Sequence, residues 1–283
     1  MAEVVLGGKK ETPLVPQAPY GAWGLRGMAL TYLAVMVAVP LFIIAFAGLR
    51  NGWESFWRNI SEPVALSAIW LSVWTAALMA LINTLMGTLT AYVLVHYRFP
   101  GKRLLDTIID LPFAIPTLVT GVMLVLLYGP QTIIGSFFQE SLGVRILFAP
   151  PGIVLALMFI SYPFVIRSVQ PVLAKLDMNQ EEAAHTLGAS GWMTFRRIVL
   201  PAILPAMVTG GMLSFARALG EFGSIVVVAG NIPMRTQVAT VYIYGQVEGG
   251  NLAAASAVSL VMLLIALVTT LTADWLMRRR LYA

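Results

Sequence analysis

The 283-residue chain contains no cysteine, which excludes disulfides, thiolate metal sites and cysteine nucleophiles. Charge is also scarce, because only 11% of the residues are Asp, Glu, Lys or Arg, whereas a soluble domain carries about a quarter. Hydrophobic residues make up 59% of the chain, and the mean hydropathy is +0.83. This composition predicts a polytopic membrane protein. We expect an all-α fold, because a helix satisfies its backbone polar groups within one segment in lipid.

Motifs for nucleotide hydrolysis and other catalysis are missing as well. The Gly-Lys pairs at 8–9 and 101–102 lack both the first glycine and the hydroxyl residue of a P-loop, so the chain is not predicted to hydrolyse ATP. His96 and His185 lie far apart without ligand spacing, which argues against a metal site. No serine lies in a nucleophile elbow. We therefore predict that the chain is not an enzyme and binds no metal or cofactor of its own.

Six apolar stretches are long enough to cross a bilayer, each with its own flanking polar segment. The predicted spans cover residues 28–49, 66–97, 107–128, 152–173, 202–229 and 252–277. Prolines at 40, 112, 116 and 163 predict kinks or breaks inside three of them. Residues 1–27 are polar and lack periodicity, so they are predicted to form a tail ahead of a transmembrane domain at 28–283.

The placement of lysine and arginine predicts the orientation of these spans. If both termini are inside, the inner segments hold twelve Lys and Arg and the outer segments hold four. This satisfies the positive-inside rule, so the tail and the loop at about 174–201 are predicted to be cytoplasmic. Because topology explains the net charge of +5, we predict no nucleic-acid partner.

The loop at 174–201 has the pattern of two short helices joined by a tight turn. Asp177 is a predicted N-cap, with Gln180 completing a capping box. Gly188 is predicted to end the first helix, and Ser190 to cap the second. Pro201 is predicted to open the next membrane helix, where a missing N–H costs little.

The same loop carries the pattern E-A-A-x3-G-x9-I-x-L-P, beginning at Glu182. It resembles the loop of the membrane subunits of ATP-binding-cassette (ABC) importers. The resemblance implies that an ATPase subunit docks on the loop as a coupling helix, and that ATP-Mg binds that partner. The residues to which it assigns this coupling role are Glu182, Ala183, Ala184, Leu187 and Gly188. An interfacial helix-turn-helix that only joins two spans is the alternative.

From about residue 62 to 277 the chain resembles the T-type permeases of sulfate/thiosulfate importers. The resemblance rests on HYRFPGKRLLDTIIDLPFAIPTLVTGV (96–122), YPFVIRSVQPVL (162–173) and SFARALGEFGSIVVVAGN (214–231). It implies a type I importer fold in a bacterial inner membrane, although relatives also occur in chloroplast envelopes. The implied partners are an ATPase dimer, a second homologous permease in a heterodimer, and an extracytoplasmic sulfate-binding protein. A molybdate/tungstate permease and an ion-coupled secondary anion transporter are the alternatives.

Two charged residues fall inside the predicted fifth span. Arg217 and Glu221 are spaced i and i+4, so they can neutralise each other on one helix face. Because charges are costly against lipid, they are predicted to face the bundle interior or a water-filled cavity. Two interpretations stay open: a gate or anion-attracting point on the translocation pathway, and a structural ion pair.

The remaining polar residues of the spans are assigned structural roles. Arg167 is predicted to snorkel to the headgroups, with a role on the pathway as the alternative, and Asp110 to complement the dipole at the start of its helix. A polar patch in the second span is predicted to form interhelical hydrogen bonds; its members are Asn83, Thr84, Thr88 and Thr90.

Overall fold

A computed structural model describes residues 19–281 of the chain, with the side chains of 23–177 and 179–275. In this part of the chain all regular structure is helical. The α-helices are α1 (Pro19–Leu33), α2 (Val39–Leu49), α3 (Trp53–Ser61), α4 (Pro63–His96), α5 (Lys102–Ile109), α6 (Leu111–Ala114), α7 (Thr117–Tyr128), α8 (Ile133–Leu142), α9 (Pro150–Lys175), α10 (Met178–Thr186), α11 (Gly191–Thr194), α12 (Leu200–Leu219), α13 (Gly223–Val228), α14 (Ala239–Glu248) and α15 (Leu252–Leu281).

Five helical stretches among the described residues are long and apolar enough to cross a membrane. They are Trp23–Leu49, Pro63–His96, Pro150–Lys175, Gly191–Leu219 and Leu252–Trp275. A sixth span results if Lys102–Ala114 and Thr117–Tyr128 are counted together, although the two segments meet at 112°. The predicted all-α architecture with about six spans is therefore confirmed.

The chain divides into two units, residues 1–46 and 47–283. In the first unit the helix begins at Pro19, ahead of the predicted start of the span, and residues 1–18 of the predicted tail lie outside the described residues. Pro40 is preceded by a π-helical turn, Ala34–Ala38, in which the Val39 N–H bonds to the Ala34 carbonyl. The wider turn moves carbonyls away from the proline ring, which would clash in a regular helix.

The second unit is built on α4, α9 and α12, which pack against one another over most of their lengths. Glycines permit the close approach: a Cβ at Gly87 of α4 would lie 2.9 Å from the Val165 Cβ of α9. A Cβ at Gly210 of α12 would lie 2.9 Å from the Val165 Cα. In lipid there is no hydrophobic driving force between helices. Small residues let the backbones approach closely, so that van der Waals packing stabilises the contact.

The predicted third span is broken, as its two prolines indicated. The chain leaves the helical conformation at Ile115, and Pro116 then occupies the N-cap of α7. Beyond the break α7 packs against α13, where a Cβ at Gly121 would lie 2.8 Å from the Ser224 carbonyl oxygen. The break therefore lets α5–α6 and α7 follow different directions.

The predicted fifth span, 202–229, has the wrong boundaries. The helix already starts at Gly191 and continues through Pro201, so this proline does not open it. As with Pro40, a π-helical turn precedes the proline: in Phe195–Val199 the Leu200 N–H bonds to the Phe195 carbonyl. The helix then stops at Leu219.

Candidate functional site

The helix α10 of the 174–201 loop is capped at both ends by local hydrogen bonds. Asp177 Oδ1 accepts from the Asn179 N–H at 3.0 Å, which confirms the predicted N-cap. At the other end the Gly188 N–H bonds to the His185 carbonyl, and the Ala189 N–H to the Ala184 carbonyl. This is a Schellman motif, and Gly188 supplies its left-handed residue with φ of +82°. The helix end is therefore set by the glycine.

The predicted coupling residues form an exposed surface on α10 and its C-terminal turn. Glu182, Ala183 and Gly188 are exposed, while Ala184 is half-buried. Leu187 is 88% exposed at the C-terminal end of α10. These residues are therefore accessible to a partner.

The second helix of the loop adds an aromatic residue to this surface. Ser190 Oγ accepts from the Met193 N–H at 3.3 Å, which confirms the predicted cap of α11. Trp192, in the first turn, is 70% exposed and stacks on Phe195, with ring centroids 5.8 Å apart. Phe195 is half-buried, so it fixes the tryptophan at the surface.

A contact that the sequence did not reveal joins α10 to the end of α4. His96 Nε2 lies 3.2 Å from Glu181 Oε1, and the His96 ring stacks on Tyr92 with centroids 4.1 Å apart. Phe195 packs edge-on against Tyr92 at 5.7 Å. Nothing local in the sequence connects His96 with a residue 85 positions away.

The pair of Arg217 and Glu221 forms, but not within one helix. The helix α12 ends at Leu219, and Glu221 follows in the break before α13. Arg217 Nη2 nevertheless lies 2.8 Å from Glu221 Oε2. The Glu221 side chain is 2% exposed and that of Arg217 is 34% exposed, so the pair extends from the interior to an accessible edge.

The carboxylate of Glu221 is held by the chain that follows it. Its Oε1 accepts from the Ser224 N–H at 3.0 Å and from Ser224 Oγ at 3.1 Å. Its backbone carbonyl accepts from Thr240 Oγ1 at 2.7 Å, at the start of α14. The glutamate therefore ties the break between α12 and α13 to α14, and one of its oxygens is left for Arg217.

Farther along, α14 is tied to the start of α4. The Tyr242 hydroxyl donates to Glu62 Oε2 at 3.0 Å. Burial raises the pKa of Tyr242 to about 12, and the neighbouring Glu62 carboxylate adds to the rise. The phenol thus stays a donor at physiological pH.

Arg167 and Asp110 have different partners from those predicted. Arg167 Nε donates to Asp110 Oδ1 and Nη2 donates to Asp110 Oδ2, so the two side chains bind each other. Asp110 does lie at the N-cap of α6, but its side chain makes no cap hydrogen bond there. Asp106 and Gln170 complete the cluster, each accepting from Nη1. Nη2 also donates to the Asp106 carbonyl, so all five N–H groups of Arg167 are engaged. The cluster joins α5 and α6 to α9.

The polar patch of α4 bonds across helices at two points. Asn83 Nδ2 donates to the Met158 carbonyl of α9 at 3.1 Å, and the Thr90 hydroxyl bonds to the Tyr162 hydroxyl. Thr84 bonds within its own helix, to the Ala80 carbonyl. Interhelical hydrogen bonding is thus confirmed for Asn83 and Thr90.

Among the described residues, no group of three or more His, Asp and Glu side chains could hold a metal ion.

A family model described as "Binding-protein-dependent transport system inner membrane component" matches residues 83–282. A probable sulfate transport system permease protein cysT of Chlorokybus atmophyticus is 43% identical over 240 residues, covering 85% of this chain and 84% of the relative. The sulfate transport system permease protein CysT of Escherichia coli (strain K12) is 36% identical over 253 residues, covering 89% and 91%.

Two solved structures are similar in fold. A chain of a bacterial alginate ABC transporter, in complex with an alginate pentasaccharide-bound periplasmic protein, superposes with a TM-score of 0.75 at 20% identity, covering 92% of this chain and 94% of that chain. A chain of the inward-facing MetNI methionine ABC transporter gives a TM-score of 0.59 at 18% identity, covering 77% and 98%. At these identities the likeness concerns the fold alone.

Proposed function

The chain belongs to the family of binding-protein-dependent transport system inner membrane components, and from this premise we propose that it is the permease subunit of an ATP-driven sulfate importer. Relatives with 36–43% identity over most of their length bear the names of sulfate transport permeases, which favours sulfate over molybdate or tungstate. Thiosulfate, a related dianion, is included in the proposed substrate class. Membership of the family argues against an ion-coupled secondary transporter.

The coupling part of the proposal is carried by one observation: the exposed apolar tip of α10. Leu187 at the end of α10 and Trp192 at the start of α11 are both largely exposed, and α10 is capped at both ends so that it can act as a rigid unit. We assign docking of a separate ATPase subunit to this surface, through Glu182, Ala183, Ala184, Leu187 and Gly188. That partner binds ATP-Mg and hydrolyses the ATP.

Closure of the ATPase dimer would displace α10, and the attached membrane helices would follow. The helix α12 is continuous with α11, directly after the α10 turn, and it packs against α4 and α9. A displacement of the loop thereby reaches the centre of the bundle. ATP can drive this change only through different affinities for the two conformations.

On the translocation pathway, we assign the anion contact to Arg217 rather than to Arg167. All five N–H groups of Arg167 are engaged by protein oxygens, so none is left for a substrate. Among the described residues, the charged partner of Arg217 is Glu221, 2.8 Å from Nη2, and the arginine side chain is 34% exposed. Glu221 orients the guanidinium from the buried side and leaves N–H groups for an anion. A gate at this position fits the break that follows α12.

The assembly that supports this activity has several further parts. A second homologous permease faces this chain in a heterodimer, and an extracytoplasmic binding protein delivers sulfate. The complex lies in a bacterial inner membrane, with both termini and α10 on the cytoplasmic side. The positive-inside distribution of Lys and Arg supports this orientation.

The substrate is tested by radiolabelled sulfate uptake in cells that lack the gene, with and without the restored chain. We expect uptake to return with the chain and to fall when unlabelled thiosulfate competes, while molybdate has no effect. Normal sulfate uptake in the deleted cells, together with defective molybdate uptake, would move the assignment to the molybdate alternative.

A further inference from the structure

The two glutamates of α10 face in different directions. Glu182 is exposed, on the surface assigned to the ATPase. Glu181, one residue earlier, has a side chain only 15% exposed and faces His96, whose side chain is 13% exposed. Successive residues of a helix point about 100° apart, which accounts for the difference. The helix α10 therefore combines an outward carboxylate, in the E-A-A motif, with an inward one just before it.

Each ring nitrogen of His96 lies close to one oxygen atom. Nε2 faces Glu181 Oε1 at 3.2 Å, and Nδ1 faces the Tyr92 carbonyl at 3.3 Å. A carbonyl and an ionised carboxylate can only accept. With its proton on Nε2, the ring donates to the Glu181 carboxylate. The geometry thus fits a charge-assisted hydrogen bond between the two helices, the stronger kind.

His96 lies at the end of α4, so this contact connects α10 to the centre of the bundle. It is the last residue of α4, a helix of 34 residues. Ala91 and Leu94, just before it, are fully buried in a cluster with Val165 of α9 and Ile203 of α12. A displacement of the C-terminal end of α4 would therefore also displace α9 and α12, which pack against it.

We propose that His96 and Glu181 form a hydrogen-bonded tether through which a displacement of α10 is transmitted to α4, in parallel with the covalent route through α11 and α12. The inference rests on the proposed coupling role of α10. His96 and Glu181 are positioning residues, since neither touches the anion or the nucleotide. With two attachments, α10 moves α4 and α12 together and does not swing about the α11 junction.

The tether is tested in the complete importer reconstituted in vesicles, with sulfate uptake and ATP hydrolysis measured in the same samples. The variant H96F keeps a ring for stacking on Tyr92 and removes the donor to Glu181; E181L removes the acceptor. Each should lower the sulfate transported per ATP hydrolysed by about fivefold, at the low end of typical coupling between sites. The double variant should be no worse than either single variant, because one interaction is lost in all three.

The matched control is D177N, which removes a carboxylate from the same loop. Asparagine caps a helix as well as aspartate does, so D177N should transport sulfate at the wild-type ratio. Additive losses in the double variant, or wild-type ratios in both single variants, would overturn the tether. Failure of the proposed function is distinguishable, because the wild-type complex itself would then take up no sulfate.

A second measurement covers the case in which a variant assembles poorly. The chain has no cysteine, so a pair introduced as H96C and E181C can be joined selectively by a short bifunctional thiol reagent with a reducible link. We expect the linked complex to transport sulfate and reduction of the link to lower the ratio of sulfate to ATP. Blocked transport in the linked state, restored by reduction, would show that the two helices must separate and would overturn the proposal.

Discussion

Arg167 and Asp110 face each other through two hydrogen bonds, from Nε to Oδ1 at 2.8 Å and from Nη2 to Oδ2 at 2.6 Å. This fork-to-fork geometry is available to arginine alone. It fastens the segment that precedes the break at Pro116 to α9, so the bend of the third span is held by side chains from outside it.

Replacing Arg167 with lysine should therefore destabilise the subunit although the charge is kept. A lysine ammonium cannot make the bidentate contact or reach all of the acceptors, and two carboxylates would lose partners. Since the groups are partly exposed, we expect a loss of about 1 kcal/mol, measured as a lower midpoint of thermal unfolding in detergent. The control is R145K, at an exposed arginine; equal midpoints for the two variants would contradict the structural role.

Arg217 should affect transport and also stability, because R217Q leaves the buried Glu221 carboxylate without its cation. The variant R217Q should lower sulfate uptake by about tenfold or more, because one charged hydrogen bond to the anion, worth roughly 1.5–3 kcal/mol, is lost. R217K should keep part of the uptake, since it retains the charge. Uptake rates at several sulfate concentrations, with the amount of subunit in the membrane as reference, provide the measurement.

A double replacement separates the two interpretations of this pair. Replacing both residues, as R217M with E221Q, removes the ion pair without leaving a lone buried charge, and the glutamine Oε1 can still accept from Ser224. We expect the double variant to assemble and to remain inactive. If it transports sulfate at the wild-type rate, the pair is a structural contact and not part of the pathway.

The crossing of α7 and α13 depends on a glycine. A methyl group at Gly121 would lie 2.8 Å from the Ser224 carbonyl oxygen, a backbone atom that cannot move alone. We expect G121A to separate the helices and to lower the unfolding midpoint, at a cost of about 1–3 kcal/mol from overpacking. G245A is the matched control, because a Cβ at this helical glycine meets nothing within 4 Å.

The sequence predicted the helix caps, the turn and the break that depend on neighbouring residues. The caps of Asp177 and Ser190, the turn at Gly188 and the break at Pro116 each depend on residues within a few positions. The length and apolar character of the spans likewise sufficed to place most of them. The docking role of the α10 surface and the orientation in the membrane stay predictions.

Long-range partners could not be predicted in the same way. Asp110 has a good local role as a helix-dipole partner, but Arg167, 57 residues away, binds it more strongly. The interval between His96 and Glu181 is longer still. The predicted fifth span runs past the observed end of α12 at Leu219. A single glycine such as Gly220 is tolerated inside helices, so it does not by itself mark the break.

The most direct test of the account is the ratio of sulfate transported to ATP hydrolysed by vesicles containing the complex with a G188V subunit. A β-branched residue at φ of +82° costs about 1–2 kcal/mol and disrupts the Schellman end of α10. We predict that G188V assembles and hydrolyses ATP but transports about fivefold less sulfate per ATP, within the usual range of coupling between sites. The control G191A, in the same loop without a positive φ, should match the wild type. A wild-type ratio in G188V would contradict the proposed role of α10 in coupling.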